Sequence, residues 1–231
     1  MFSRLMLGQI EVICGSMFSG KTEELIRRLR RARIARQRVQ VFKPALDARW
    51  AAPTGPDGQP APVTVTSHSQ ERFEAEVVAT SAEVLRAVDD RTEVIGIDEV
   101  QFLDAGIVEV LDKLANRGKR VIVAGLDQDY LGRPFEPMPQ IMAIAEYVTK
   151  TLAVCVRCGA AANRSQRLVS SEGRVLVGAA EAYEPRCRRC FEPELARQLD
   201  IGLGAGVGSG ASSGHGHSQE RDDTPLSERP S

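Results

Sequence analysis

Long apolar runs are missing from this chain. No stretch of its 231 residues approaches the ~20 that a membrane-spanning helix needs. The opening Met1-Phe2-Ser3-Arg4-Leu5 also lacks the apolar segment and small-residue cleavage site of a secretory leader. Both absences predict a soluble, cytoplasmic protein with no membrane partner. An excess of one charge sign is missing too: 30 Lys and Arg stand against 31 Asp and Glu, a formal net charge of −1. Such a chain has no overall basic field for holding a nucleic acid polymer irrespective of sequence. Cysteine is scarce, five in all, yet four of them fall into two C-x-x-C pairs. In a reducing compartment that pattern reads as a metal site before it reads as disulfides. Cys14 is left over, and its apolar neighbours predict a buried strand position.

What is present suffices for one full core and a smaller satellite module. Gln9-Ile-Glu-Val-Ile-Cys14 is an apolar run followed by a glycine-containing loop and then a long Leu-, Ile- and Arg-rich stretch. That order is strand, loop, helix. Arg27, Arg28, Arg30, Arg31, Arg33, Arg36 and Arg38 crowd the helical segment, and the pattern reads as a solvated face. A strand at Val39–Phe42 follows. Residues 45–70, with Pro53, Pro56, Pro60 and Pro62, read as a long mobile loop, with the composition of a lid that orders over a bound ligand. Further strands are expected at 74–78, 94–97 and 120–124, with helices beginning at a Ser81 cap and spanning 105–116. Strands apolar on both faces suit a parallel sheet covered by helices. The predicted fold class is therefore α/β. The predicted divisions are an α/β domain over residues 1–149, a cysteine-bearing module over 150–200, and a disordered tail over 201–231. The tail is too rich in Gly, Ser, His and charge to bury a core, and its His215 and His217 read as stray surface residues.

Gly15-Ser16-Met17-Phe18-Ser19-Gly20-Lys21-Thr22 fits G-x-x-x-x-G-K-[ST] between a strand and a helix, the context that a phosphate-binding loop requires. Glycines let the backbone N–H groups turn inward, and the following helix N-terminus adds partial positive charge. Lys21 is placed to reach the β- and γ-phosphates of ATP, and Thr22 to offer its hydroxyl to Mg²⁺. The partner acid belongs at the end of another apolar strand, where Ile95-Gly96-Ile97 runs into Asp98-Glu99. Asp98 reads as the magnesium-side carboxylate. Glu99 reads as the group that accepts a proton from an attacking hydroxyl. In a hydrolase a similar acid polarises water, so these motifs leave transferase and hydrolase both open. The bland alternative for either acid is a helix cap.

Cys155-Val-Arg-Cys158 and Cys187-Arg-Arg-Cys190 are two knuckles at zinc-ribbon spacing. Four thiolates match tetrahedral Zn²⁺ and leave no position for water, so the predicted zinc is structural. A redox dithiol is the weaker reading of two such pairs in one chain.

Taken together, Gly15 to Thr22, Asp98-Glu-Val-Gln-Phe102, Gly125-Leu-Asp-Gln-Asp-Tyr130 with Arg133-Pro-Phe135, and the paired C-x-x-C closely resemble the type II thymidine kinase family over about Gly8 to Cys190. The resemblance implies a P-loop parallel sheet with a zinc-ribbon lasso module, and transfer of the γ-phosphate of ATP to thymidine in nucleoside salvage. It makes Glu99 the base on the nucleoside 5′-hydroxyl. Met17, Phe102, Leu126, Tyr130, Phe135 and Ser165 match the family's thymine pocket, and Tyr183 its nucleoside tyrosine. Arg174, Val175, Leu176, Val177 and Gly178 match a lasso over the base, bonded through backbone groups. Tyr130 stands where many relatives carry phenylalanine, and Ser165 where threonine is usual. Asp47, Arg49, Ser67 and His68 resemble elements beside the phosphates and receive no role. A homotetramer and restraint by thymidine triphosphate are implied as well. The competing readings are a P-loop ATPase whose zinc ribbon grips nucleic acid, which the near-neutral charge disfavours, and a zinc-stabilised regulator that binds ATP without turnover.

Overall fold

The computed structural model describes residues 8–45, 64–66, 72–169 and 182–193. The elements there run β1 (Gln9–Gly15), α1 (Lys21–Ile34), β2 (Val39–Pro44), β3 (Thr64–Thr66), β4 (Arg72–Glu74), β5 (Glu76–Val78), α2 (Ser81–Ala87), β6 (Val94–Ile97), α3 (Ile107–Asn116), β7 (Arg120–Leu126), α4 (Met138–Ile144) and β8 (Tyr147–Thr151). A short 3₁₀ turn, Val100–Phe102, follows β6. Among the described residues six strands pair in the order β5-β2-β6-β7-β1-β8, every pair parallel.

Strand periodicity distributes the apolar side chains between two faces. Ile10, Val12 and Cys14 of β1, with Val121 and Val123 of β7, pack under α2, α3 and α4, which contribute Val84, Ile107, Leu111, Leu114, Met138 and Ile141. Ile13, Ile122 and Ala124 turn the other way, against Leu25, Ile26 and Leu29 of α1. Both faces are covered, which is why these strands read as continuous apolar runs. Cys14 is fully buried in β1 as expected, and burial, reinforced by the charge of Asp127, pushes its thiol up to about 11.

Several local expectations need correction. Thr64–Thr66, inside the segment read as a mobile loop, is a strand paired antiparallel with Arg72–Glu74; buried Val65 and Phe73 give that hairpin a reason to form on the α1 face. Residues 46–63 and 67–70 of that loop, including Asp47, Arg49, Ser67 and His68, lie outside the described residues, as does the tail. The stretch 74–78 is interrupted at Ala75, so that β4 and β5 belong to different sheets. Helix α2 is capped by Thr80, whose hydroxyl accepts the Glu83 N–H at 3.3 Å, and not by Ser81. Ser81 instead donates its N–H and hydroxyl to Asp104 at 2.8 and 2.7 Å. Helix α4 is an addition to the expected elements; Pro139 near its start hides it, although proline is tolerated in a first turn.

The arginine-rich face of α1 is mostly solvated, with one exception. Arg28 reaches back to Glu11 at 2.9 Å, to Glu24 at 2.8 Å and to Thr149 at 2.9 Å, while Arg120 meets Glu11 at 2.6 Å. This network ties α1 to β1, β7 and β8. Burial alone would push the Glu11 carboxyl up, but Arg120, Gln9 and Arg28 outweigh it and hold it below the ordinary carboxylate value. Glu11→Ala leaves Arg120 without its carboxylate while Arg28 keeps Glu24 and Thr149, and the expected loss is about 2–4 kcal/mol because Arg120 stays partly hydrated. Since the folded carboxyl is depressed, its contribution is present above its ordinary value and disappears as pH falls through the lowered one. Thermal melts of the variant and the parent should accordingly differ at neutral pH and converge in acid.

Beyond β8 the chain forms two small antiparallel pairs: β9 (Ala153–Val154) with β10 (Ala161–Ala162), and β11 (Arg164–Arg167) with β12 (Tyr183–Arg186). The main sheet runs through Thr151, two residues past the division expected at 149.

Candidate active site

Three strand ends converge at the carboxyl edge of the sheet, where parallel α/β folds hold their ligands. β1 ends in Gly15, β6 runs into Asp98 and Glu99, and β7 ends in Leu126. Gly15 adopts φ +150°, and a Cβ there would stand 2.3 Å from the Thr151 carbonyl oxygen, so the loop enters its turn only with glycine. Gly20 precedes the first turn of α1 in the left-handed region. Lys21 is buried, its ammonium donating to the Ser16 carbonyl at 2.9 Å across the loop. Ser19 donates to the same carbonyl at 2.8 Å, and Phe18, at the tip, is exposed.

The Thr22 hydroxyl lies 3.3 Å from each carboxylate oxygen of buried Asp98. That hydroxyl–carboxylate pair fits the donor set for Mg²⁺ beside a nucleotide. Glu99 sits in the left-handed region at φ 51°, ψ 41° before the 3₁₀ turn, and its side chain makes no capping bond. The helix-cap alternative is thereby removed for Glu99. Its carboxylate instead accepts a hydrogen bond from Gln101 at 2.6 Å.

The expected pocket residues gather in two groups beside this edge. Met17 packs on buried Tyr130 and Tyr183 with Leu131 and Ala182. Phe102 and Phe135 meet edge to face, ring centroids 6.2 Å apart. Ser165, expected against the base, accepts the Met17 N–H at 3.0 Å, and Ser16 donates to the Ala162 carbonyl at 3.3 Å. The phosphate loop is thus fastened to the C-terminal module. Arg174 to Gly178 lie outside the described residues.

The four cysteine sulfurs lie within 4.8 Å of one another, Cys158 and Cys187 at 3.6 Å. Tetrahedral bonds of about 2.3 Å put sulfurs roughly 3.8 Å apart, so the cluster fits zinc. Each knuckle is closed by backbone bonds: the Gly159 N–H donates to Cys155, and those of Cys190 and Phe191 to Cys187. Burial opposes ionisation of Cys155, but the amides of Cys187, Arg157 and Cys158 outweigh it and bring the thiol down to about 6. Hydrogen bonds that the protonated Cys190 thiol donates to Cys158 and Cys187 push it up to about 12. Four thiolates this close require a cation among them to ionise together.

Two contributors carry no signal of their role in the sequence. Gln101 is visible in the string that follows Asp98 but has no evident partner there. Arg167 is fully buried, its guanidinium 4.0 Å from the Tyr130 ring and 5.7 Å from that of Tyr183. Nothing in an Arg-Ser-Gln-Arg strand signals that its last residue packs between two tyrosines.

Sheet, loop and strand-end acids together define a P-loop nucleotide-binding protein of the α/β class. The profile of the thymidine kinase family matches residues 8–191. Among curated relatives, a thymidine kinase of Rhodothermus sp. is 60% identical over 187 residues, covering 81% of this chain and 83% of its own. One of Bdellovibrio bacteriovorus is 50% identical over 188 residues, covering 81% and 87%. The chain belongs to the thymidine kinase family.

Proposed function

We propose that this chain transfers the γ-phosphate of ATP to the 5′-hydroxyl of thymidine, giving thymidine 5′-monophosphate and ADP. The observation that carries the reading is the meeting, at one sheet edge, of a phosphate loop, a Thr22–Asp98 pair, the Glu99 carboxylate and an aromatic pocket. Lys21 and the loop amides of residues 15–22 hold the phosphates. Thr22 and Asp98 hold Mg²⁺, which neutralises charge on the phosphate oxygens. Glu99 takes the 5′-hydroxyl proton as the O5′–Pγ bond forms and the bond from Pγ to the bridging oxygen of ADP breaks. The flat base sits among Met17, Phe102, Leu126, Tyr130, Phe135 and Tyr183. Ser165 supports it through Met17, and family resemblance assigns the backbone groups of Arg174, Val175, Leu176, Val177 and Gly178 to the base as well.

Cys155, Cys158, Cys187 and Cys190 would hold a structural Zn²⁺ that pins both ends of the stretch from Gly159 to Arg186. The division into an ATP-binding domain, a zinc module and a tail belongs to the same reading, as does a reducing, cytoplasmic setting. No described helix is long and apolar enough to cross a membrane. A homotetramer is supported by the family relation and by exposed Tyr147, Val148, Leu152 and Val154 along and beyond edge strand β8.

Steady-state ADP release with Mg²⁺-ATP tests the reading. Turnover is expected with thymidine and little with deoxycytidine, deoxyadenosine or no acceptor. ADP release that is unaffected by thymidine would make the chain an ATPase and the pocket assignments wrong.

A further inference from the structure

Gln101 stands two residues after Glu99, on the 3₁₀ turn, with its side chain only 3% exposed. Its Nε2 donates to Glu99 Oε2 at 2.6 Å, and its Oε1 accepts the Leu126 N–H at 3.1 Å. A carboxylate offers only acceptors and a backbone N–H only a donor, so chemistry at both ends dictates which way this amide faces. Room for it comes from Gly125: a Cβ there would lie 2.6 Å from Gln101 Oε1. The amide therefore spans from the Glu99 carboxylate at the tip of β6 to the backbone at the tip of β7. Leu126, at that second tip, is a wall of the proposed nucleoside pocket.

We propose that Gln101 is a positioning residue for phosphoryl transfer, aiming the Glu99 carboxylate and fixing its distance from the pocket wall at Leu126. This inference rests on the reading of Glu99 as the base. A carboxylate on a freely turning side chain samples many directions, of which few meet a 5′-hydroxyl in line with phosphate. A buried amide anchored to a sheet strand removes most of that freedom, and it acts on the chemical step more than on binding.

Kinetics of Gln101→Met, Gln101→Glu, Glu99→Gln and the double variant Glu99→Gln/Gln101→Met test it, with thermal melts alongside. Gln101→Met removes both bonds. Gln101→Glu keeps an acceptor for Leu126 N–H but sets a second carboxyl against Glu99; the two share a proton, so Glu99 loses its amide donor and its freedom to take up a proton. Either single change at Gln101 is expected to lower kcat about 10²-fold while KM for thymidine and ATP moves less than about threefold. In the Glu99→Gln background, Gln101→Met should cost almost nothing further, because the group it aims is gone. If Glu99→Gln loses turnover but both Gln101 variants keep kcat, the positioning role is wrong and the base reading stands. The role is equally wrong if the Gln101 loss is undiminished in the Glu99→Gln background, or if KM rises in step with a falling melting temperature. Full turnover in Glu99→Gln would instead remove the base reading itself.

Discussion

Glu99→Gln is expected to lower kcat by about 10³-fold, within the range by which a positioned general base accelerates a reaction. Glutamine matches the carboxylate in shape and still accepts the hydrogen bond that Gln101 donates at 2.6 Å, so the turn that follows β6 should keep its form. It cannot take a proton. Asp98, Thr22 and Lys21 are untouched by the change, and the 3.3 Å contacts between Thr22 and Asp98 do not involve Glu99. Dissociation constants for ATP and thymidine should therefore stay within about threefold of the parent, because the lost interaction belongs to the transition state. Isothermal titration with a non-hydrolysable ATP analogue, set beside steady-state rates, separates the two effects. Turnover that survives the substitution would exclude Glu99 as the base; binding that collapses with it would show that the carboxylate holds substrate.

The second large effect is expected from Cys158→Ser. Cys158 is the exposed member of the sulfur cluster, so its replacement perturbs little packing while leaving three sulfurs where four are proposed to ligate. Hydroxyl is a poor zinc ligand, and metal content measured by atomic emission should fall from near one per chain. The segment between the knuckles spans from Gly159 to Arg186 and carries Ser165 and Tyr183. Loosening one end lets the pocket wall wander, and an ordered wall is what keeps the cost of binding low. KM for thymidine should rise about tenfold or more, with a smaller change for ATP. Unchanged metal content would overturn the four-sulfur assignment. Lost metal with an unchanged KM would disconnect the metal from the nucleoside.

How far these assignments were legible depends on the range of the interaction that sets each feature. The loop from Gly15 to Thr22, the acids after Ile97 and the two knuckles are local patterns, because turn geometry and ligand spacing operate over a few residues. The parallel sheet showed through the two-sided apolarity of Val94–Ile97 and Arg120–Leu126, a consequence of having helices on both faces. What stayed hidden depends on distant partners. Thr80 and Ser81 are both good caps on paper, and only Asp104, brought in from the start of α3, claims Ser81. Arg28 looked like its solvated neighbours until Glu11 of β1 came beneath it. Thr64–Thr66 lies in a proline-rich stretch whose composition says loop, and only the burial of Val65 beside Phe73 makes it a strand. The pocket residues are proposed from family resemblance; their chemistry alone would have assigned Phe102 and Phe135 to ordinary packing.

The two bonds that run from the phosphate loop to the C-terminal strands, Met17 to Ser165 and Ser16 to Ala162, have a bearing on how this enzyme can be taken apart. A chain cut short after Thr151 would retain the whole parallel sheet, yet the amide of Met17 and the hydroxyl of Ser16 would face solvent where they now face β10 and β11. The loop proposed to hold ATP borrows part of its shape from a segment 146 to 148 residues later in the chain. On the proposed reading the nucleotide-binding part is consequently not a portable cassette, nor the cysteine-bearing part an accessory, because the loop of the first is fastened to the strands of the second.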